Sequence, residues 1–334
     1  MLKMIFKPYS FLLLVLLCQT AKAQDHIYSQ FFNAPIYLNP ALAGQFDGSF
    51  RVNMIYRNQW SAMSGDLRYI SASMDYQLPN NAGGLGLMFN NSAEGVAYLK
   101  KNNISGIYSY IIGGDNFSAS FGLQAGITNR KMDFSSLIFS DQLDSRLGLT
   151  GASTSAESPL NDNKYYFDAG TGANFVIGNA MIGASVLHLN KPDESFTGSV
   201  VPTPIRTAVH ASYRVPLSTD DEGSYLIPSV VYYKQSQATS ISGGMQFKYR
   251  AVNAGVWYRT AGSGSSDALV VSFIFDLFSK NAKNQKYRFG VSHDATTSKL
   301  NYGNTSGTSE VSFGFETGES QNKGYSTVKC YDFY

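Results

Sequence analysis

The side chains most often used for catalysis are scarce in this chain. It holds four His and two Cys in 334 residues. His188 and His210 fall inside alternating apolar–polar stretches, and His293 is followed by Asp294. A hydrolase would need a serine polarised by one of these bases, and a third group to orient the base. There is no Gly-x-Ser-x-Gly elbow and no His or Cys spacing suited to a metal. No catalytic, cofactor-binding or metal-binding residue is therefore assigned, and no enzyme is expected. The charge balance, 26 Lys+Arg against 24 Asp+Glu, includes no basic block that would follow a phosphate backbone. Nucleic acid is excluded as a partner.

The charges that remain fall on one side of a period-two pattern. Arg51, Arg57, Asp75, Asp168, Arg206, His210, Arg214, Lys248, Arg250, Arg259, Arg288 and Glu316 share a face opposite a set of aromatics. Those aromatics are Tyr56, Tyr76, Phe89, Tyr108, Tyr110, Phe175, Tyr213, Tyr258, Phe273, Phe275, Phe289, Phe313 and Phe315. Charges are costly against lipid and tolerated in a hydrated interior, where they pair. Arg51, Asp75, Asp168, Arg206, Arg214, Arg250, Arg259 and Arg288 are expected to form an interior ion-pair and hydrogen-bond network. A cationic solute path and an interior binding role are the alternatives.

Strands of unusual length must carry these two faces. Phe117, Ala119, Phe121, Leu123, Ala125 and Ile127 alternate with Ser118, Ser120, Gly122, Gln124, Gly126 and Thr128. Successive side chains of a strand point to opposite sides, so this stretch has one greasy face and one wet one. The same reading places about fourteen strands, at 48–58, 67–78, 82–92, 99–112, 116–131, 164–177, 179–190, 204–217, 224–236, 238–249, 251–260, 267–278, 285–294 and 308–317. Most run to about ten residues or more, the span of a tilted bilayer crossing, whereas soluble strands average roughly 5–6. Connections after even-numbered strands are short and several after odd ones are long, as in a closed bacterial barrel with periplasmic turns and external loops. The fold class expected is all-β, a transmembrane antiparallel β-barrel in the outer membrane. A soluble β-sandwich is the alternative.

The flanks are read separately. Lys3 and Lys7, the apolar run Phe11 to Leu17 and Ala21-Lys22-Ala23 form a signal peptide over 1–23, with Gln24 as the mature start. Cys18 fits lipidation poorly, because Leu17 precedes it, and cleavage leaves Cys330 alone. Residues 24–47 are expected to be an extended periplasmic segment, since Pro40 biases Asn39 away from helix. Residues 48–317 form the barrel and 318–334 a periplasmic tail. Two places suit a partner. Arg57, Gln59 and Trp60 stand at the outer end of the first strand, fitted to anchor a loop or grip another chain. The long loop 132–163 sets Asp133, Asp141, Asp144 and Glu157 beside Phe134, Leu137, Ile138 and Phe139. Loops this long are usually functional or disordered.

Short motifs run along nearly the whole chain. They begin with Ile27-Tyr28-Ser29-Gln30-Phe31-Phe32, Leu38-Asn39-Pro40-Ala41-Leu42-Ala43-Gly44 and Tyr56-Arg57-Asn58-Gln59-Trp60. They continue with His188-Leu189-Asn190, Ile227-Pro228-Ser229, Trp257-Tyr258-Arg259, Gly290-Val291-Ser292-His293-Asp294 and Gly307-Thr308-Ser309-Glu310-Val311, and end with Lys329-Cys330-Tyr331-Asp332-Phe333. In this order they resemble the PorP/SprF family, Bacteroidetes outer-membrane proteins tied to type IX secretion. The resemblance implies a non-enzymatic component that binds and anchors, or helps export, secreted proteins bearing a type IX C-terminal domain, gliding adhesins among them. It implies periplasmic ring, motor or peptidoglycan-binding lipoproteins as further partners, beside outer-membrane lipid. A passive porin for small solutes is the alternative function.

Overall fold

The structure, a computed structural model, describes residues 24–65, 67–79, 82–95, 99–114, 117–151, 161–217, 224–262, 264–279 and 285–317. The expected signal peptide, the 318–334 tail and Glu157 lie outside the described residues.

Alternation of small polar with large apolar side chains produces strands that can be wet on one side and lipid-bathed on the other. Fourteen of them form the wall: β1 (Phe50–Gln59), β2 (Leu67–Gln77), β3 (Gly84–Glu94), β4 (Leu99–Gly114), β5 (Phe117–Lys131), β6 (Asn163–Ile177), β7 (Ala180–Leu187), β8 (Arg206–Tyr213), β9 (Ser224–Gln235), β10 (Ala238–Tyr249), β11 (Val252–Ala261), β12 (Ser266–Ser279), β13 (Gln285–Thr296) and β14 (Thr308–Glu316). Each pairs antiparallel with its neighbours in the chain, and β1 pairs with β14 from Arg51–Glu316 to Gln59–Thr308, which closes the cylinder. A two-residue piece, Val215–Pro216, extends the line of β8 and pairs with β9. Closure leaves no strand edge for lipid to meet, the condition for spanning a bilayer.

The expected strands are all present, with ends that differ by a few residues. In β5 the outward Phe117, Phe121, Leu123 and Ile127 are exposed, while the inward Ser118, Ser120, Gln124 and Thr128 are buried. The same holds in β10, where Met245, Phe247 and Tyr249 face out and Gln246 is fully buried.

The rim is lopsided. Among the odd-to-even connections, 132–162, 188–205 and 297–307 are long, whereas β9 turns into β10 over 236–237. This end is the external one, because bacterial barrels keep their short turns on the periplasmic side. The long loop holds 3-10 turns at Phe134–Ser136 and Ser140–Gln142, and a small ladder pairing Leu143–Asp144 with Gly148–Leu149.

The N-terminal segment departs from expectation. Residues 24–47 are not an extended arm outside the wall. They fold into the bore, with every residue from Tyr28 to Gly44 buried. Three short turns shape the segment: Phe31–Asn33 and Pro40–Leu42 are 3-10, and Pro35–Leu38 is a single α-turn. Asn39 is extended, as a residue before proline should be, and its side chain accepts from the Ala41 N–H. The sequence Phe-Phe-Asn-Ala-Pro-Ile-Tyr-Leu has no free face that water would favour, and the bore supplies the cover it needs.

This plug completes the core. Phe31, Phe32, Leu38 and Leu42 pack with Val231, Trp257, Val270 and Ile274 of the wall, and Phe32 stacks on Trp257 at 5.3 Å. Tyr28, Ile36 and Tyr37 pack with Ile55, Tyr69, Met88 and Ile107 on the other side. Each such burial contributes about 1.5–3 kcal/mol. Inward glycines let the plug backbone come close. A Cβ on Gly122 would lie 2.3 Å from the Ala41 nitrogen, and one on Gly84 would lie 2.5 Å from the Ala43 carbonyl.

Candidate functional site

The strands aim their charged residues into the bore, and the plug gathers them. Near the outer end, Arg57 on β1 meets Glu310 on β14 at 2.5 Å and Asp294 on β13 at 3.5 Å. Arg259 on β11 reaches Asp294 at 3.0 Å and Asp267 through its Nε at 2.5 Å. The β11–β12 register shifts at Arg259/Thr260, and this irregularity leaves Asp267 beside the arginine. The plug backbone enters the same group: the Ser29 and Gln30 N–H groups both donate to Glu310 at 2.8 Å, and the Ser29 hydroxyl donates to Asp294 at 2.6 Å. Five strands and the plug are thus joined through one cluster.

A second cluster holds the start of the plug. Asp25 accepts from Lys101 at 2.9 Å and meets His188 Nε2 at 2.6 Å, while His188 Nδ1 faces Asp168 at 2.9 Å. Burial would pull the His188 imidazole down, but Asp25 and Asp168 outweigh it and hold the group up at about 9. Burial works against the Asp25 carboxylate, yet Lys101 and His188 hold it well below its ordinary value.

At the periplasmic end, Arg51 and Asp75 form a two-pronged pair at 3.0 and 2.7 Å, and Asp75 also accepts from the Gly44 N–H. Arg288 and Asp276 make a similar pair at 2.8 and 3.0 Å. Arg206 is different: its guanidinium is held between the rings of Tyr37 and Tyr233, at 4.7 and 5.2 Å.

Two of the expected network residues lie elsewhere. Arg214 is half-buried just beyond the end of β8, over the Tyr225 ring at 3.7 Å. Arg250 is exposed in the turn between β10 and β11, with φ +52. Both strands end at the preceding tyrosine, so alternation no longer sets the direction of these two side chains. Conversely, the pattern missed Asp25, His188, Asp276, Asp294 and Glu310 as interior partners. Asp294, the last residue of its expected strand, is buried because β13 continues to Thr296.

The residues singled out for a partner fall into two separate places. Arg57 is buried, and Gln59 Oε1 accepts from its Nε and Nη2 at 3.2 and 3.1 Å. Trp60, with φ +55, ends the strand. With Tyr69, Arg206 and Tyr233, these three line an open vestibule of about 1030 Å³ on the low side of the rim, floored by Gln24–Ile27. On the high side, Asp133 accepts from the Ser135 backbone and hydroxyl, and Asp144 from the Arg146 and Leu147 N–H groups. Phe134 packs edge-on against Phe196 at 5.6 Å, so this loop leans on the 188–205 loop. Leu137 is half-buried and Asp141 exposed, while Ile138, Leu143, Leu149 and Leu147 stand out in water, Leu147 at 82% exposure.

Comparison with known proteins gives one family and several distant structural likenesses. The family described as "Type IX secretion system membrane protein PorP/SprF" matches residues 20–315. No curated protein matches the chain. Among solved structures, the Acinetobacter baumannii outer membrane protein Omp33 is 7% identical, with 81% of this chain and 97% of that one covered and a TM-score of 0.43. A Pseudomonas aeruginosa FadL homologue is 11% identical, covering 83% and 91%, with a TM-score of 0.44. A mutant of the TodX monoaromatic hydrocarbon channel is 11% identical, covering 85% and 92%, with a TM-score of 0.46.

Proposed function

Because the chain belongs to the PorP/SprF family of type IX secretion system membrane proteins, we propose that this outer-membrane barrel holds secreted cargo at the cell surface and does no chemistry of its own. The cargo is a surface protein with a type IX C-terminal domain, gliding adhesins included. The external loops 132–163 and 191–203 form the holding surface, and the short turns with the 318–334 tail face periplasmic ring, motor or peptidoglycan-binding partners.

One observation carries the reading. The longest loop leaves Ile138, Leu143, Leu147 and Leu149 uncovered, and exposed apolar side chains on a stretch that also carries acids suit a protein partner. The packed bore supports a holding role and weighs against a passive porin, which needs a continuous water path.

Deleting 133–161 tests the proposal. The barrel should still insert, with gel mobility that changes on boiling, while a surface protein is released into the medium. Retained surface display in such a strain would overturn it.

A further inference from the structure

We propose that the outer vestibule is a carboxylate-binding site anchored by Arg206. The side chain is 3% exposed, yet its Nη2 has no hydrogen-bond partner among the described residues. The other four buried arginines, Arg51, Arg57, Arg259 and Arg288, each reach a carboxylate oxygen within 2.8 Å. Arg206 has two tyrosine faces in place of an acid. Asp25, whose charge acts on Arg206, gives its oxygens to Lys101, His188 and Gln235. A buried cation with an open N–H is costly unless something completes it.

A second unfilled group points to the same space. His26 is half-buried and stacks on Tyr69 at 4.1 Å and on Tyr37 at 5.2 Å. Its Nε2 is shielded from solvent and without a partner among the described residues. Burial and the nearby Arg206 hold its imidazole well below the ordinary range. It is therefore neutral, and in its Nε2–H tautomer it offers one donor. Arg206 and His26 both line the vestibule and also an inner cavity of about 80 Å³ beside it.

The ligand chemistry follows from this lining. A guanidinium fork matches the two oxygens of a carboxylate. Four cations, Arg57, Arg206, Lys234 and Arg259, face the vestibule against the two acids Asp25 and Asp267. The acids disfavour a dianion such as phosphate more than a singly charged carboxylate. The space is as large as sites that enclose drug-sized molecules, and Trp60, Tyr69 and Tyr233 give it apolar walls. The carboxylate comes either from the end of a short extended peptide or from a small organic acid. This goes beyond the cargo-holding reading and does not rest on it, since no described residue of 132–163 lines the vestibule.

Titration of the detergent-solubilised full chain tests the site. One of the two tryptophans is Trp60, and its fluorescence reports on the vestibule. The probes are an acetylated Gly-Ala tetrapeptide as free acid, the same peptide amidated, and acetate. The free acid should bind at least tenfold more tightly than the amide, and Arg206→Gln should remove the difference while Arg206→Lys keeps part of it. Acetate binding without peptide binding would assign the site to small acids. Equal binding of acid and amide, or no response to any probe, would overturn the proposal on the wild-type protein alone, whatever the variants do to folding. Loop deletion leaves this readout intact, so the two proposals fail separately.

Discussion

Two of the stretches that lie outside the wall strands solve the same problem in opposite ways. The plug (24–47) and the long outer loop (132–162) both contain Phe, Leu, Ile and short 3-10 turns. In the plug, the apolar groups are covered by the wall, and key polar groups bond to strands far away in the chain. Asn39 donates to the carbonyls of Ala173 and Ala184, and Ser185 and Ser109 donate back to the carbonyls of Leu38 and Ala43. In the loop, Asp133 and Asp144 bond within three residues of themselves, and four apolar side chains stay uncovered. Apolar content alone therefore does not decide burial. Polar partners at long range hold the plug in, whereas local turns leave the loop free to offer its leucines to another molecule.

The sharpest way to break this contrast is to deny the plug its seat. Gly122→Val places side-chain atoms where Pro40 and Ala41 now run. The variant should show steady conductance in planar bilayers where the wild type shows none, and loop deletion should leave conductance at the wild-type level. Next in size is Glu310→Gln, which leaves Arg57 poorly compensated while the Ser29 and Gln30 N–H groups lose an anion. A cost of about 3–5 kcal/mol is expected for breaking such a buried pair, read as a lowered unfolding midpoint.

A pH scan gives a smaller effect with a definite sign. His188 is held at about 9 when the plug is seated, above its ordinary 6.5. Its contribution is complete below pH 6.5 and fades as pH rises through 9, and the share that comes from Asp25 is what holds the plug. Asp25 is held below its ordinary 3.8, so its contribution is present above that pH and fades only in stronger acid. Protease access to residues 24–30 should therefore increase between pH 6.5 and 9, and His188→Gln should flatten that rise. Smallest of all, Leu147→Asp should change barrel stability by no more than about 0.5 kcal/mol while weakening cargo retention.

The wall was legible in the sequence because lipid on one side and water or plug on the other enforce a period of two over ten or more residues. The plug was not, since its turns are too short to show any period, and Pro40 speaks only for Asn39. A signal was nevertheless present. Gly84, Gly122 and Gly172 leave gaps on the wet face, and the plug fills them: Gly172 lies against the Asn39 side chain. Arg51, Arg57, Arg206, Arg259 and Arg288 are buried, each on a strand that the alternation turns inward. Arg214 and Arg250 failed where the strand stopped, and Asp294 where it ran on. The fine arrangement of the vestibule depends on which side chains the plug brings to strands distant in sequence, and no local pattern encodes that.

The direction of threading has a further consequence. Asp25 sits among Lys101 and Gln235 near the outer mouth, while β1 starts at Phe50 beside the opposite rim. The polypeptide descends through its own cylinder before the first hairpin climbs back. An epitope fused directly ahead of Gln24 would consequently surface outside the cell, although one fused after Thr317 would stay within.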